Sequence, residues 1–244
     1  MGLLLKHTSA DNYTQITAKA WADAFAGVAQ TPAKFFVQNV GDRDSTALVL
    51  TLTQVGTGDG MSMMRHGLDT GSVMPPYGLA YTLTAAGDGG AWGTAQTVYY
   101  VLTATNAAGQ TVASIELPAI IDVATKRVIL TWPQITSATG YKLYRSATAG
   151  TYGASSLRAT IASGATLTYT DDGSATGSGT PPVANTTGGA APAYGTVPTL
   201  VTTPLAIGVL KVGQWACYWC NRIIPAGTVE VGNPRQSTRK FTET

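Results

Sequence analysis

The sequence predicts an all-β protein: two β-sandwiches, one interrupted by the other along the chain, preceded by a short N-terminal amphipathic helix. Three observations lead there. Charged residues make up only 11% of the 244, far below the usual quarter, which disfavours coiled coils and helical bundles. The 28 glycines and 38 threonines supply turn positions and β-branched strand positions. Apolar residues alternate with period two over many short runs, and show helical spacing over one segment only.

That segment lies in an N-terminal arm, residues 1–32. Leu3, Leu4 and Leu5 form an apolar run too short for a signal-peptide core, and Lys6 follows it instead of preceding it. Lys6 also stands where a myristoylation site needs Ser or Thr. No stretch approaches the roughly 20 apolar residues of a membrane span, so the expectation is synthesis in a cytoplasm and no membrane insertion. Over residues 9–29, Tyr13, Ile16, Ala20, Trp21, Ala24, Phe25 and Val28 recur three or four apart. Ser9 or Asp11 can cap this helix, and Gly27 and Pro32 help end it. Trp21 and Phe25 either pack on the protein's own sheet or dock on a neighbouring subunit.

From Lys34 the period becomes two. Phe35, Phe36 and Val37, then Leu48, Leu50 and Leu52, read as two strands joined by the turn Gly41-Asp-Arg-Asp44. The run Gly56-Thr-Gly-Asp-Gly60 opens no helix and has no acidic ribose ligand about 20 residues on, so it is expected to be a hairpin turn and not a dinucleotide loop.

Residues 76–185 read as a module of their own. Residues 98–105 alternate, Asn106-Ala-Ala-Gly109 supplies a turn, and strands at 128–132, 141–145 and 167–170 follow between Pro- and Gly-containing segments. Ile129-Leu-Thr-Trp132, Ala138-Thr-Gly-Tyr-Lys-Leu-Tyr-Arg145 and Tyr169-Thr-Asp171 resemble the B, C and E strand region of fibronectin type III domains. The stretch Tyr99-Tyr-Val-Leu-Thr-Ala-Thr-Asn-Ala-Ala-Gly109 is similar to the strand pair that precedes such a region in many bacteriophage virion proteins. This resemblance covers just under half the chain and speaks more to fold than to function.

No charged residue lies between Asp172 and Lys211. Pro181, Pro182, Pro192, Pro198 and Pro204 bias this stretch toward extended backbone, a semi-rigid strap with its linker proper at 186–197. Strands resume at 207–210 and 215–224, with a further one at 228–231. Isolated hairpins are marginal, whereas 33–75 plus 198–244 together approach the roughly 100 residues of an immunoglobulin-like sandwich. The central module is then an insertion between the strands of an interrupted sandwich. Phe36-Val-Gln-Asn-Val-Gly41 and Gly213-Gln-Trp-Ala-Cys-Tyr-Trp219, with Ile224-Pro-Ala-Gly227, resemble the first and last strands of interrupted sandwiches in bacteriophage structural proteins.

Chemistry-bearing residues are sparse. The net charge of +2 supplies no basic field for nucleic acid. Cys217 and Cys220 sit in Gln214-Trp-Ala-Cys-Tyr-Trp-Cys-Asn221, a strand pattern that points residues three apart to opposite faces, so neither a zinc site nor a redox pair is expected. His7 and His66 lie in unrelated contexts. His66 has Ser62, Asp69 and Ser72 nearby in sequence but no nucleophile elbow, and 61–74 reads as a loop. Asp171-Asp172-Gly173 reads as a turn, with too few oxygens for calcium. Trp92, Tyr77, Tyr152 and Tyr194 stand in loop contexts, where they either stack on sugar rings or fill pockets of a partner, or else fold back on their own sandwich. Arg235, Arg239 and Lys240 make a short basic tail, either solvated or paired with an acidic neighbour.

The resemblance implies a non-enzymatic structural protein of a bacteriophage virion, a tail, baseplate or fibre component, made in the bacterial host cytoplasm. Its partners are then other virion subunits, copies of itself as a homo-oligomer, and a cell-surface glycan, with no nucleic acid and no cofactor or metal. A head-associated or capsid-decorating protein is the alternative within that class. A carbohydrate-binding module is the alternative outside it.

Overall fold

The computed structural model describes residues 5–9, 33–55, 63–68, 72–174, 177–188, 205–223 and 236–243, and among them every helix-or-strand element is a strand. The protein is all-β. The helix expected over 9–29, with Trp21 and Phe25, lies outside the described residues except for Ser9, which ends a strand where a helix cap was expected. The chain divides into two compact units, Met1–Thr70 with Gly189–Thr244, and Gly71–Gly188.

The first unit holds β1 (Leu5–Ser9), β2 (Ala33–Asn39), β3 (Leu48–Val55) and β4 (Met63–Leu68) from the start of the chain. The second holds β5 (Ala80–Leu83), β6 (Gln96–Asn106), β7 (Gly109–Gln110), β8 (Leu117–Ile121), β9 (Val128–Thr131), β10 (Gly140–Ser146), β11 (Leu157–Ile161) and β12 (Thr168–Asp171). The end of the chain returns to the first unit with β13 (Leu205–Gly208), β14 (Trp215–Ile223) and β15 (Gln236–Glu243).

In the first unit one antiparallel sheet has the order β1-β2-β14-β4 and another the order β13-β3-β15. Phe35, Leu50, Tyr218 and Cys220 form one core cluster across the two sheets, and Val37, Leu48 and Leu210 a second. Phe35 and Tyr218 face each other in register and stack with ring centroids 5.5 Å apart. Alternate positions on the other face of the first sheet are buried too: Phe36, Trp215, Cys217 and Trp219. The uninterrupted apolar runs on β2 and β14 follow from this, because a strand covered on both faces needs no polar alternation.

Gly41-Asp-Arg-Asp44 joins two strands as expected, and because β2 and β3 lie in different sheets it carries the chain from one sheet to the other. Residues 56–60, expected as a hairpin turn, lie outside the described residues, and the strands flanking them, β3 and β4, belong to different sheets. Residues 63–68, expected in a loop, are β4, and the basic tail is β15, paired with β3 along its length with Arg239 opposite Leu52 and Lys240 opposite Thr51. Both strands owe their state to pairing with distant partners, which local propensity does not report.

Asn39 joins the two chain segments of this unit. It is fully buried, and its Nδ2 donates to the Arg43 and Leu210 carbonyls at 2.8 and 2.9 Å while Oδ1 accepts from Gly41 N at 3.0 Å. Asn39→Ala leaves the buried Leu210 carbonyl, the partly buried Arg43 carbonyl and the Gly41 amide without this partner. We expect a loss of about 1–3 kcal/mol, measured as a lowered urea midpoint with unchanged slope.

In the second unit β11-β10-β6 make a sheet extended by β7 and β8, both paired to the long β6, and β12-β9-β5 make the other. Their facing sides share one core, with Tyr100 and Leu102 of β6, Tyr141 and Leu143 of β10, Ile121 of β8 and Leu130 of β9. Trp132 and Tyr141 meet edge to face at 5.5 Å. Between β7 and β8 the chain stays on β6 through side chains, as the Thr111 and Ser114 hydroxyls accept from Ala104 N and Leu102 N at 2.9 and 3.0 Å. The edge at β8 is blunted: Pro118 has no N–H, and Ile120 N donates to the Tyr81 hydroxyl at 3.1 Å.

The uncharged stretch after Asp172 begins as part of this unit. Gly177 N and Gly179 N donate to Leu157 O and Ala154 O, both at 2.6 Å, which covers the β11 edge. Thr186 N then bonds Gln110 O, and buried Asn185 and Thr187 both donate to the Val73 carbonyl. Residues 189–204 lie outside the described residues.

Candidate functional site

A polar cleft of about 540 Å³ opens in the second unit. The start of β6 gives it Gln96 and Val98, the end of β10 gives Arg145 and Ser146, and the connection 147–156 and Gly173 complete the wall beside Trp92. That volume falls within the range of small-molecule sites.

Behind the cleft lies a carboxylate with no exposed side-chain surface. Alternation on β12 turns Tyr169 and Asp171 inward together, so Asp171 ends the strand pointing at the other sheet. Its Oδ2 accepts from the Tyr100 hydroxyl at 2.9 Å, and Arg145 Nη1 reaches Oδ1 and Oδ2 at 2.9 and 2.8 Å. Arg158 Nε donates to Oδ1 at 2.7 Å, and Gly173 N to the same oxygen at 3.0 Å. Arg158 Nη2 also donates to Asp172 Oδ1 and to Ser174 Oγ, both at 2.8 Å, while Arg145 Nη2 donates to Ser174 O at 2.6 Å. Two guanidiniums and two carboxylates thus balance.

Both arginines are also held by rings. The Arg145 guanidinium carbon stands 4.9 Å from the Trp92 ring centroid, and that of Arg158 stands 5.6 Å from the Tyr169 centroid. Gly173 has φ +89°, and a Cβ there would run into the Trp92 ring, so both the backbone conformation and the close approach require glycine.

The electrostatics match this geometry. Burial, then the Asp171 charge, pushes the Tyr100 phenol far above its ordinary range, so it acts as a neutral donor. The Ser174 amide and hydroxyl, with Arg158 adding to them, pull Asp172 down from 3.8 to about 2. Asp171 spends both oxygens on internal donors, which makes it a hub for strand ends and not a base aimed at a substrate.

The connection 147–156 is pinned as well. Glu116 Oε2 accepts from Gly150 N at 2.8 Å and from the Tyr152 hydroxyl at 2.7 Å. Burial, then Glu116, raises the Tyr152 phenol far above its usual value. Ser146 Oγ accepts from Thr148 N at 3.1 Å, and Arg145 N donates to Ser156 O at 2.8 Å.

The residues singled out in the sequence fall in varied places. Trp92 is 8% exposed, belongs to the core cluster and donates from Nε1 to Lys126 O at 2.8 Å, so it presents no open ring to a partner. Tyr77 packs half-buried on the same core, and Tyr152 is tied to Glu116 as described. Tyr194, Arg235, Ser62 and Asp69 lie outside the described residues. Arg239 and Lys240 stand on β15. His66 stands on β4 opposite Cys220 in the first unit, and Ser72 belongs to the second, so the sequence neighbours of His66 are divided between units. His7 is on β1, opposite Val37. Asp171 and Asp172, read as a turn, are the centre of the charged cluster. Arg145, Arg158, Gln96 and Glu116 carried no local sign of their part in it.

Cys217 and Cys220 are buried on β14, three positions apart on a regular ladder and hence on opposite faces, with Cys220 in the core beside Phe35. A thiol reagent in excess is expected to leave both unmodified in the native protein and to titrate two thiols after denaturation in guanidinium. Among the described residues no three His, Cys, Asp or Glu side chains are grouped to hold a metal ion, and no helix is long and apolar enough to cross a membrane. Comparisons of the chain with protein-family models, with curated proteins and with solved structures find no match.

Proposed function

We propose that this chain is a non-catalytic structural component of a bacteriophage virion, in a tail, baseplate or fibre, where the first unit serves assembly and the second faces the host surface. The observation that carries the reading is the pairing of 33–55 with 205–243 around an intervening β unit, the interrupted arrangement to which the phage resemblance pointed.

Strand placement supports a fibronectin type III-like second unit. The segments resembling strands B, C and E are β9, β10 and β12, and β9 and β12 are neighbours in one sheet while β10 lies in the other. Immunoglobulin-type sandwiches divide these strands in the same way, with F and G beside C. Here β6 and β8 take the F and G places and β5 the A place, although β6 and β8 precede β9 in the chain. The first unit is proposed as the second immunoglobulin-like sandwich.

The test is mass spectrometry of purified particles together with sedimentation of the recombinant chain. The expected result is a fixed copy number per particle and a homo-oligomer in solution. A monomer at high concentration and no copy in particles overturns the reading, and a copy in tailless heads moves it to capsid decoration.

A further inference from the structure

We propose that the cleft beside Trp92 and Arg145 binds a neutral saccharide unit, an inference that rests on the reading of the second unit as a non-catalytic host-facing module. Three features of the cleft point to that chemistry. Its wall combines an amide and hydroxyls, from Gln96, Ser146, Thr151 and Ser155, with the exposed apolar surface of Ala147 and Ala154 and only the edge of the largely buried Trp92. A sugar ring asks for this mixture, because hydroxyls ring its edge while its faces are C–H surface. Small-molecule sites pair an apolar wall with a few placed polar groups in the same way.

The charge state selects among sugars. Arg145 borders the cleft, but Asp171 takes its Nη1 and the Ser174 carbonyl its Nη2, and Arg158 and Asp172 balance alongside. With two positive and two negative groups in contact, the cleft carries no net field to favour an acidic sugar or a phosphate. Arg145 then acts as a planar surface and not as an anion clamp.

The cleft is also built before any ligand arrives. Glu116 fixes Gly150 and Tyr152, Arg145 N holds Ser156 O, and Gly179 N holds Ala154 O. A fixed wall avoids the ordering cost that weakens binding by flexible loops.

Gly153 gives a clean test. It lines the cleft, has no positive φ, and a Cβ there meets nothing within 4 Å, so a large side chain can grow into the opening without backbone strain. The full chain is titrated, with protein-observed NMR, against glucose, galactose, mannose, N-acetylglucosamine and their neutral disaccharides, and separately against glucuronate and inorganic phosphate. The expected result is saturable shifts at the Trp92 indole and Gln96 amide with at least one neutral probe. Gly153→Trp is expected to weaken that binding at least tenfold at unchanged Tm. If Gly153→Trp unfolds, Ala154→Trp, at an exposed position of the same wall, takes its place. No saturable shift with any neutral probe, shifts confined elsewhere, saturation only by glucuronate or phosphate, or full affinity in the blocked variants overturns the proposal. Binding by a chain absent from particles overturns the virion reading and leaves the saccharide site standing.

Discussion

Asp171→Ala is expected to destabilise the second unit by about 3–5 kcal/mol, the range for removing one member of a buried ion pair. The carboxylate is fully buried and answers Tyr100, Arg145, Arg158 and the Gly173 amide at once. Its removal leaves two guanidiniums, each with a side chain 12% exposed, with only the half-exposed Asp172 on Arg158 as counter-charge and none on Arg145. Those residues come from β6, β10, β11 and β12, so the loss acts on both sheets. Asp171→Asn is no rescue, since its amide sets a donor against donors.

Asp172 is the internal control. Its side chain is 44% exposed, and a solvated ion pair of this kind contributes about 0–1 kcal/mol. Its folded pKa is held near 2, below its ordinary 3.8. The contribution is therefore complete above about pH 4 and fades as the pH falls toward 2. Hydrogen exchange of β6 and β10 amides reads the second unit by itself. At neutral pH it is expected to show a large loss of protection in Asp171→Ala and a small one in Asp172→Ala, and the small one is expected to shrink as the pH falls from about 4 through 2.

The strands at 98–105, 128–132, 141–145 and 167–170 correspond to β6, β9, β10 and β12; β9 and β12 were legible from alternating burial, while β6 and β10, buried on both faces in their middles, were legible from their runs of aromatic and aliphatic residues bounded by turn signals. β5, β8 and β11 were not: β5 has no fully buried position, β8 contains Pro118, and β11 carries little alternation. β4 and β15 exist through β14 and β3, far off in sequence. Which strands share a sheet is equally non-local, so the turn at 41–44 could be read from the sequence while its passage from one sheet to the other could not.

The candidate site was illegible for a related reason. Asp171 meets Tyr100 across 71 residues and Arg145 across 26, and no short motif encodes that meeting. Locally Asp-Asp-Gly has the composition of a turn. The turn is there, with Gly173 N on Asp171 Oδ1, and the ion-pair cluster is added to it by the fold. The same logic applies to Trp92: Gly-rich flanks make it look exposed, and the core it enters is built from strands that come later in the chain.

Trp92→Ala is accordingly expected to act as a core truncation and not as the removal of a surface contact, at a cost of about 3–5 kcal/mol. The ring is 8% exposed, so the substitution opens a cavity in the core to which Val98 and Tyr100 also belong. It also deprives Lys126 O of its indole donor and removes the surface on which the Arg145 guanidinium rests. Loss of saccharide binding in this variant would follow from a distorted wall whether or not the indole touches the sugar, which is why the blocking variants at 153 and 154 carry that test. Trp92→Phe separates the contributions: the phenyl keeps most of the packing and the face under Arg145 but leaves the Lys126 carbonyl without its donor. Thermal unfolding is expected to place it between the wild type and Trp92→Ala, nearer the wild type. If Trp92→Ala instead unfolds at the wild-type temperature, the indole is not part of the core, and the open stacking ring that its sequence context suggested becomes the better description.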